Sequence, residues 1–115
     1  MQPSEFQLAQ RLASEGLTPT RWSNGPHAVY ALHDHPYGKI LVVVSGRMTL
    51  TIDSARPRGP ALVTIGAGGA REGRAGGKRV VTMKAGDRLT LPPRTPHSAV
   101  VGPEGVVCLE AHITL

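Results

Sequence analysis

The stretch "HDHPYGKILVVVSG", residues 33–46, decides how this chain folds. It places His33 and His35 two residues apart, Lys39 four residues later, and Gly46 after an apolar, β-branched run. In an extended strand, residues two apart leave the same face, so we expect both imidazoles and the lysine to point the same way. Two imidazoles at this spacing can bind one metal ion, and a solvated pair on a strand edge is the alternative.

Size and composition predict one domain spanning residues 1–115. Cys108 is the single cysteine, so it cannot form an internal disulfide. It is interpreted as a small buried hydrophobe, because no basic residue nearby in the sequence marks it as a nucleophile. The N-terminus is polar and no apolar run has the length of a membrane span. The sequence therefore predicts a soluble, cytoplasmic protein with no membrane partner.

The distribution of turn residues predicts an all-β protein that begins with one helix. Residues 4–15 read as a short helix, with Ser4 as N-cap, Gln7 completing a capping box and Gly16 ending the helix. Short β-branched or alternating segments then follow one another, separated by glycine, proline, asparagine and aspartate. This pattern is typical of a β-sandwich or barrel.

Residues 54–79 interrupt the pattern as a Gly/Arg-rich insertion, predicted to be a hairpin or loop. Residues 61–65 would form one strand of the hairpin and 66–77 its mobile tip. The insertion carries six basic groups against one acidic group, whereas the rest of the chain has seven of each sign. It has no aromatic residues on which bases could stack, so a nucleic-acid partner is not expected.

A second histidine stretch, "GDRLTLPPRTPHSAV" (86–100), has a tight turn, an alternating strand and a proline-rich turn that ends at His97. With it, the sequence resembles the cupin superfamily, including small RmlC-like cupins of one domain. The first cupin motif is glycine, five residues, His-x-His, three or four residues, glutamate, six residues and glycine. The second is glycine, five residues, Pro-x-Gly, two residues, histidine, three residues and asparagine. The residues that fit are His33, His35, Gly46, Gly86, Pro92 and His97.

The resemblance implies a double-stranded β-helix, or jelly-roll, barrel in which His33, His35 and His97 bind a metal. The sequence departs from the motifs at four places, where Lys39 replaces the glutamate ligand, His27 and Arg94 replace glycines, and Val101 replaces asparagine. No fourth ligand is carried over. Three-histidine sites occur in this superfamily, in thiol dioxygenase-like members with iron. The cofactor would be one divalent transition metal, with Fe, Zn, Ni, Cu and Mn not distinguished.

Three further residues are candidates for the pocket. Lys39 shares strand parity with the two histidines, so it either weakens metal binding or helps to attract an anion. A third arrangement pairs it with Glu110, which shares a face of the last strand with His112. Tyr37 and Tyr30 are candidates for the cavity mouth, with ordinary packing as the favoured alternative. His27 and His112 are interpreted as ordinary surface or core-edge histidines.

Two functions follow from the resemblance. The first is a metal-binding small-molecule cupin, dioxygenase-like or isomerase-like, that acts on a small anionic substrate. The second is a non-catalytic module that binds or senses a small ligand or a metal. The sequence does not decide whether the protein is an enzyme. Because cupins commonly pair edge strands, a homodimer is also expected.

Overall fold

The structure is a computed structural model and describes residues 3–53, 62–64, 71–75 and 78–113. Within these residues, one helix precedes eight strands that pair only antiparallel. The elements are α1 (Glu5–Ser14), β1 (Thr20–Asn24), β2 (Val29–His33), β3 (Gly38–Ile52), β4 (Leu62–Thr64), β5 (Arg71–Ala75), β6 (Lys78–Lys84), β7 (Arg88–Leu91) and β8 (His97–Ile113).

Helix α1 forms as the sequence predicts. The Ser4 hydroxyl accepts a hydrogen bond from the Gln7 backbone N–H at 3.1 Å, and the Gln7 side chain accepts one from the Ser4 N–H at 2.9 Å. This reciprocal bonding satisfies amides that the first turn would leave free. The apolar face of α1 buries Leu8 and Leu12 against a cluster on the outside of the sheet, formed by Ile40, Val42 and Leu109.

Two long strands carry the sheet. Strand β3 has 15 residues and β8 has 17, and they pair with each other along most of their length. The strand order is β1-β8-β3-β6-β5, with β2 also on β8 and with β7 joining β4 to β3. The inner face encloses the main core, which is aliphatic and includes Val43, Leu50, Met83, Leu89 and Cys108. This architecture confirms the predicted all-β jelly roll with a short N-terminal helix.

The structure has fewer breaks than the turn residues suggest. The sequence predicts separate strands on either side of Gly46 and a turn at "PEG", residues 103–105, but Gly46 lies inside β3 and residues 103–105 lie inside β8. The pairing register of β3 with β8 shifts between Val43 and Ser45 and between Gly46 and Met48. Bulges of this kind bend a strand without ending it.

Two strands fall within the predicted insertion. Strand β4 covers residues 62–64 of the predicted strand at 61–65 and pairs with β7. The predicted tip is wrong over Arg71–Ala75, because these residues form β5 and pair with β6. Residues 54–61, 65–70, 76 and 77 lie outside the described residues. No helix in the described part of the chain is long and apolar enough to cross a membrane.

Candidate metal centre

Three histidines from two distant segments meet at one end of the barrel. His33 ends β2 and lies directly opposite His97, the first residue of β8. The ring centroids are 4.4 Å apart for His33 and His97, 4.8 Å for His33 and His35, and 5.5 Å for His35 and His97. A potential ligand atom on each ring lies within 4.8 Å of those on the other two. The structure therefore brings the three predicted ligand residues together.

The route to this convergence differs from the sequence argument. Residues 34–37 are not part of a strand, so His35 does not share a continuous strand with His33 and Lys39. Pro36 explains the interruption, because proline has no N–H to donate to a neighbouring strand. His35 reaches the site from this turn, and its carbonyl accepts a 2.7 Å hydrogen bond from the Arg94 N–H.

Backbone hydrogen bonds determine which ring nitrogen of two histidines is available. Nδ1 of His33 lies 2.6 Å from the carbonyl oxygen of Ala31, and Nδ1 of His97 lies 2.8 Å from that of Thr95. A carbonyl can only accept, so each Nδ1 carries the hydrogen and each Nε2 keeps a free lone pair. Second contacts of this kind orient histidines that bind metals.

Burial favours the neutral form of His35 and His97. His97 is 4% exposed, and its burial lowers its pKa to about 4. Burial also lowers the pKa of His35, with a further contribution from the charge of Lys39. A metal binds the neutral imidazole, so the lowered pKa values of these two rings favour metal binding.

The donor set fits one divalent transition metal after a small adjustment. Nitrogens that each lie about 2.1 Å from a shared metal cannot be more than about 4.2 Å apart. The potential ligand atoms lie within 4.8 Å of one another, so the imidazole rings would have to move slightly closer together to bind one metal. Imidazole donors suit Fe, Zn, Ni and Cu, and the set has no carboxylate that would favour Mg or Ca.

Lys39 both faces the site and pairs with Glu110. Its Nζ lies 3.2 Å from Oε1 of Glu110 and 3.5 Å from Nε2 of His35. The two charged side chains are only 12% and 19% exposed. The ammonium therefore lies within hydrogen-bond distance of one ring nitrogen of a predicted ligand residue.

The sequence predicts the pairing of Lys39 with Glu110 and the shared face of Glu110 and His112, but not the contact of Trp22 with Glu110. The indole N–H of Trp22 donates to Oε1 of Glu110 at 3.1 Å, and Nε2 of His112 lies 3.3 Å from Oε2. Trp22 was missed because its proximity depends on the register of β1 against β8, where it lies opposite Cys108. Tyr37 lies between two imidazoles, with ring centroids 5.0 Å from His35 and 3.8 Å from His112.

A cavity of about 290 Å³ opens beside the histidines. Lys39 and Glu110 line it, as do His33 and His97, whereas Tyr37 does not. The rest of the lining contributed by the described residues is mostly apolar and consists of Trp22, Asn24, Tyr30, Leu41, Met48, Leu50 and Ala99. The inner space thus combines one cluster of polar groups with an aliphatic and aromatic wall.

The non-glycine residues at motif glycine positions keep a glycine-like backbone. His27 has φ of 63° and Arg94 has φ of 59°, both in the left-handed region.

Among the other sequence candidates, His112 is mostly exposed and Cys108 is fully buried. Burial raises the pKa of the Cys108 thiol to about 12, which leaves it unreactive at neutral pH.

Comparison with solved structures identifies the fold. An RmlC-like cupin from Shewanella frigidimarina NCIMB 400 is 19% identical, with a TM-score of 0.56, over 84% of this chain and 64% of the other. KdgF from Halomonas sp. is 19% identical, with a TM-score of 0.54, over 84% of this chain and 67% of its own. Oxalate decarboxylase from Bacillus subtilis is 19% identical, with a TM-score of 0.62, over 85% of this chain and 21% of its own. The fold is therefore the cupin fold.

The chain spans just under two thirds of that RmlC-like cupin and about a fifth of the oxalate decarboxylase. No protein-family model matches the sequence, and no curated protein does. At these identities the structural similarity establishes the fold and not the activity.

Proposed function

We propose that this protein is a metal-binding, small-molecule cupin. His33, His35 and His97 would bind one divalent transition metal through their Nε2 atoms, and the adjacent cavity would take a small anionic molecule. The observation that carries the proposal is the convergence of three imidazoles from two distant segments, with ligand atoms within 4.8 Å of one another. The carbonyl contacts that leave two Nε2 atoms free support the same assignment.

A solved structure of the same fold supports the presence of a metal. Oxalate decarboxylase from Bacillus subtilis has Mn(II) centres. The metal preferred by this chain is left to experiment, because three imidazoles suit several first-row metals.

The site has the composition of a reactive centre. Three protein ligands would leave coordination positions for substrate, and a bound divalent metal supplies Lewis-acid chemistry or binds dioxygen. Lys39 and Glu110 flank these positions and would orient a bound molecule through charge and hydrogen bonds. Dioxygenase-like or isomerase-like chemistry on an anion follows as the enzymatic form of the proposal.

A non-catalytic binding module is the second candidate, and Lys39 favours it. An ammonium 3.5 Å from the His35 Nε2 competes with a metal for that lone pair. If the Lys39 ammonium keeps that nitrogen from a metal, the cavity would bind its ligand without a metal. A redox-active metal whose spectrum changes on ligand binding would favour the enzyme, and a buried organic ligand without metal would favour the module.

Metal analysis of protein purified without a histidine tag tests the proposal. We expect about one transition metal per chain after dialysis against a weak chelator, and loss of most of it in His97→Ala. His27→Asn is the matched control, because it removes an exposed imidazole outside the site and asparagine tolerates a positive φ. Circular dichroism would establish that His97→Ala is folded. Equal metal content in wild type and His97→Ala would contradict the assignment.

A further inference from the structure

Building on the proposed metal site, we infer that the cavity selects a small anion with one charged head and an apolar body. The lining has two unlike parts, and each part constrains one part of the ligand. A carboxylate is the head group that fits this chemistry. A branched aliphatic or small aromatic group is the body.

The charged part of the cavity lies at the histidines. His33 and His97 line it with ring centroids 4.4 Å apart, and the Lys39 ammonium lies 3.5 Å from Nε2 of His35. Lys39 and Glu110 together carry no net charge, so a divalent metal on neutral imidazoles would leave this end at about +2. One anionic head placed here gains attraction that water screens poorly.

The apolar part belongs to the core of the barrel. Leu41, Met48 and Leu50 extend along β3, and Ala99 lies opposite Leu50 on β8. All four are at most 6% exposed. Trp22 and Tyr30 complete this wall, with ring centroids 5.8 Å apart. Placing an apolar group of matching size against this surface is favourable, because it removes apolar surface from water.

A second charged group has no partner in this wall. Away from the histidine end, the described lining offers the Asn24 side chain and the Tyr30 hydroxyl, but no cation. Burying a carboxylate there without a counter-charge is unfavourable. The cavity volume of about 290 Å³ is also at the small end of ligand sites. A dicarboxylate or a fully hydroxylated sugar is therefore a poor match.

Trp22 provides the readout, because it lines the cavity and is the only tryptophan in the sequence. The metal-loaded protein would be titrated with isocaproate, adipate and isohexanol while tryptophan fluorescence is followed. Isocaproate has one carboxylate and a branched body, adipate has two carboxylates, and isohexanol has the same body without charge. We expect isocaproate to bind at least about tenfold more tightly than the other two.

Met48→Gln tests the apolar wall, with acetate as a probe of the head alone. The substitution should lower the affinity for isocaproate at least about fivefold and leave the affinity for acetate unchanged. Adipate or isohexanol binding as tightly as isocaproate would overturn the inference. An equal loss of affinity for acetate and isocaproate in Met48→Gln would overturn it too. If Met48→Gln does not fold, the three-probe comparison on wild type decides alone. Metal content is measured on the same samples, so a protein that binds no metal contradicts the proposed function, whereas a metal-loaded protein without probe preference contradicts only this inference.

Discussion

Lys39 places an ammonium group beside a nitrogen that a metal would need. Its Nζ is held between Oε1 of Glu110 at 3.2 Å and Nε2 of His35 at 3.5 Å. The cupin motif that the sequence resembles has glutamate at this position. The exchange of a carboxylate for an ammonium removes a ligand and adds a competing cation, so Lys39 is expected to weaken metal binding.

Lys39→Met is predicted to raise metal affinity by about tenfold or more, because it frees the His35 lone pair and leaves the Glu110 carboxylate near the metal. Competition against a chromophoric chelator measures the change. Lys84→Met is the matched control, since Lys84 lies on β6 and does not line the cavity. Affinity that is unchanged or reduced in Lys39→Met would mean that the lysine does not compete with the metal.

Arg94 shows how a motif position keeps its backbone after losing its glycine. Its φ of 59° costs a residue with a Cβ about 1 kcal/mol or more. Arg94→Gly is therefore predicted to raise the free energy of unfolding by about 1 kcal/mol. Urea denaturation measures this value, with Thr95→Gly as a control at the next position, which lies outside the left-handed region. A loss of stability in Arg94→Gly would show that the arginine side chain makes compensating contacts.

The close approach of β3 and β8 at their register shift depends on two glycines. Gly46 has φ of 74°, and a Cβ added to it would lie 2.0 Å from the carbonyl oxygen of Gly105. Gly46→Ala is predicted to lower the free energy of unfolding by more than about 3 kcal/mol, because backbone would have to move in both long strands. Gly25→Ala is the control, since its Cβ would meet nothing within 4 Å, and we expect a change within about 0.5 kcal/mol. Similar free energies of unfolding for the two variants, measured by chemical denaturation, would contradict this account of how closely β3 and β8 approach.

An ion pair fastens α1 to the sheet. Glu15 at the end of α1 accepts two hydrogen bonds from the Arg88 guanidinium on β7, at 2.7 Å and 2.6 Å. This bonding lowers the pKa of Glu15 below its ordinary value of 4.5. The carboxylate is thus bound more tightly in the folded state, so its stabilisation is present above pH 4.5 and is lost as the pH falls through the folded pKa.

Glu15→Gln is predicted to reduce stability by about 0.5 kcal/mol at pH 7, a small value because the pair is partly exposed. The difference from wild type should shrink as the pH is lowered and vanish once Glu15 is protonated in both states. Thermal melts at several pH values measure it. A difference that persists in acid would show that Glu15 acts through packing and not through its charge.

The elements were predictable where local chemistry specifies them. Ser4, Gln7 and Gly16 define a helix through contacts within a few residues, and alternation defines most strands. The continuous passage of β8 through residues 103–105 was not predictable, because the chain there accommodates a register shift against β3, between Val101 and Val106, without ending the strand. Likewise, local sequence contains no information on which strand lies beside Trp22.

At the scale of the whole molecule, the predicted homodimer remains to be tested. Val29 on β2 and Val100 on β8 lie opposite each other and are 71% and 49% exposed. We expect light scattering to give about twice the chain mass of 12.1 kDa. If copies pair through this face, Val29→Asp should produce monomers, whereas Phe6→Asp, at another exposed apolar residue, should not. A monomeric wild type would contradict the prediction.

The candidate site was predictable in part at this scale. Motif spacing identified His33, His35 and His97 as candidates. Their two segments keep the distances to glycine and proline turn residues that the cupin motifs have. The Lys39–Glu110–Trp22 network was only partly predictable. It joins three strands, and their relative register is fixed by the packing of the whole barrel.

The most direct test of the central claim is a crystal structure of the metal-loaded protein with anomalous diffraction measured at the absorption edge of the metal. The claim predicts one anomalous peak per chain, about 2.1 Å from a ring nitrogen of each of His33, His35 and His97. A peak bound by other residues, or no peak in protein soaked with a saturating metal, would contradict it.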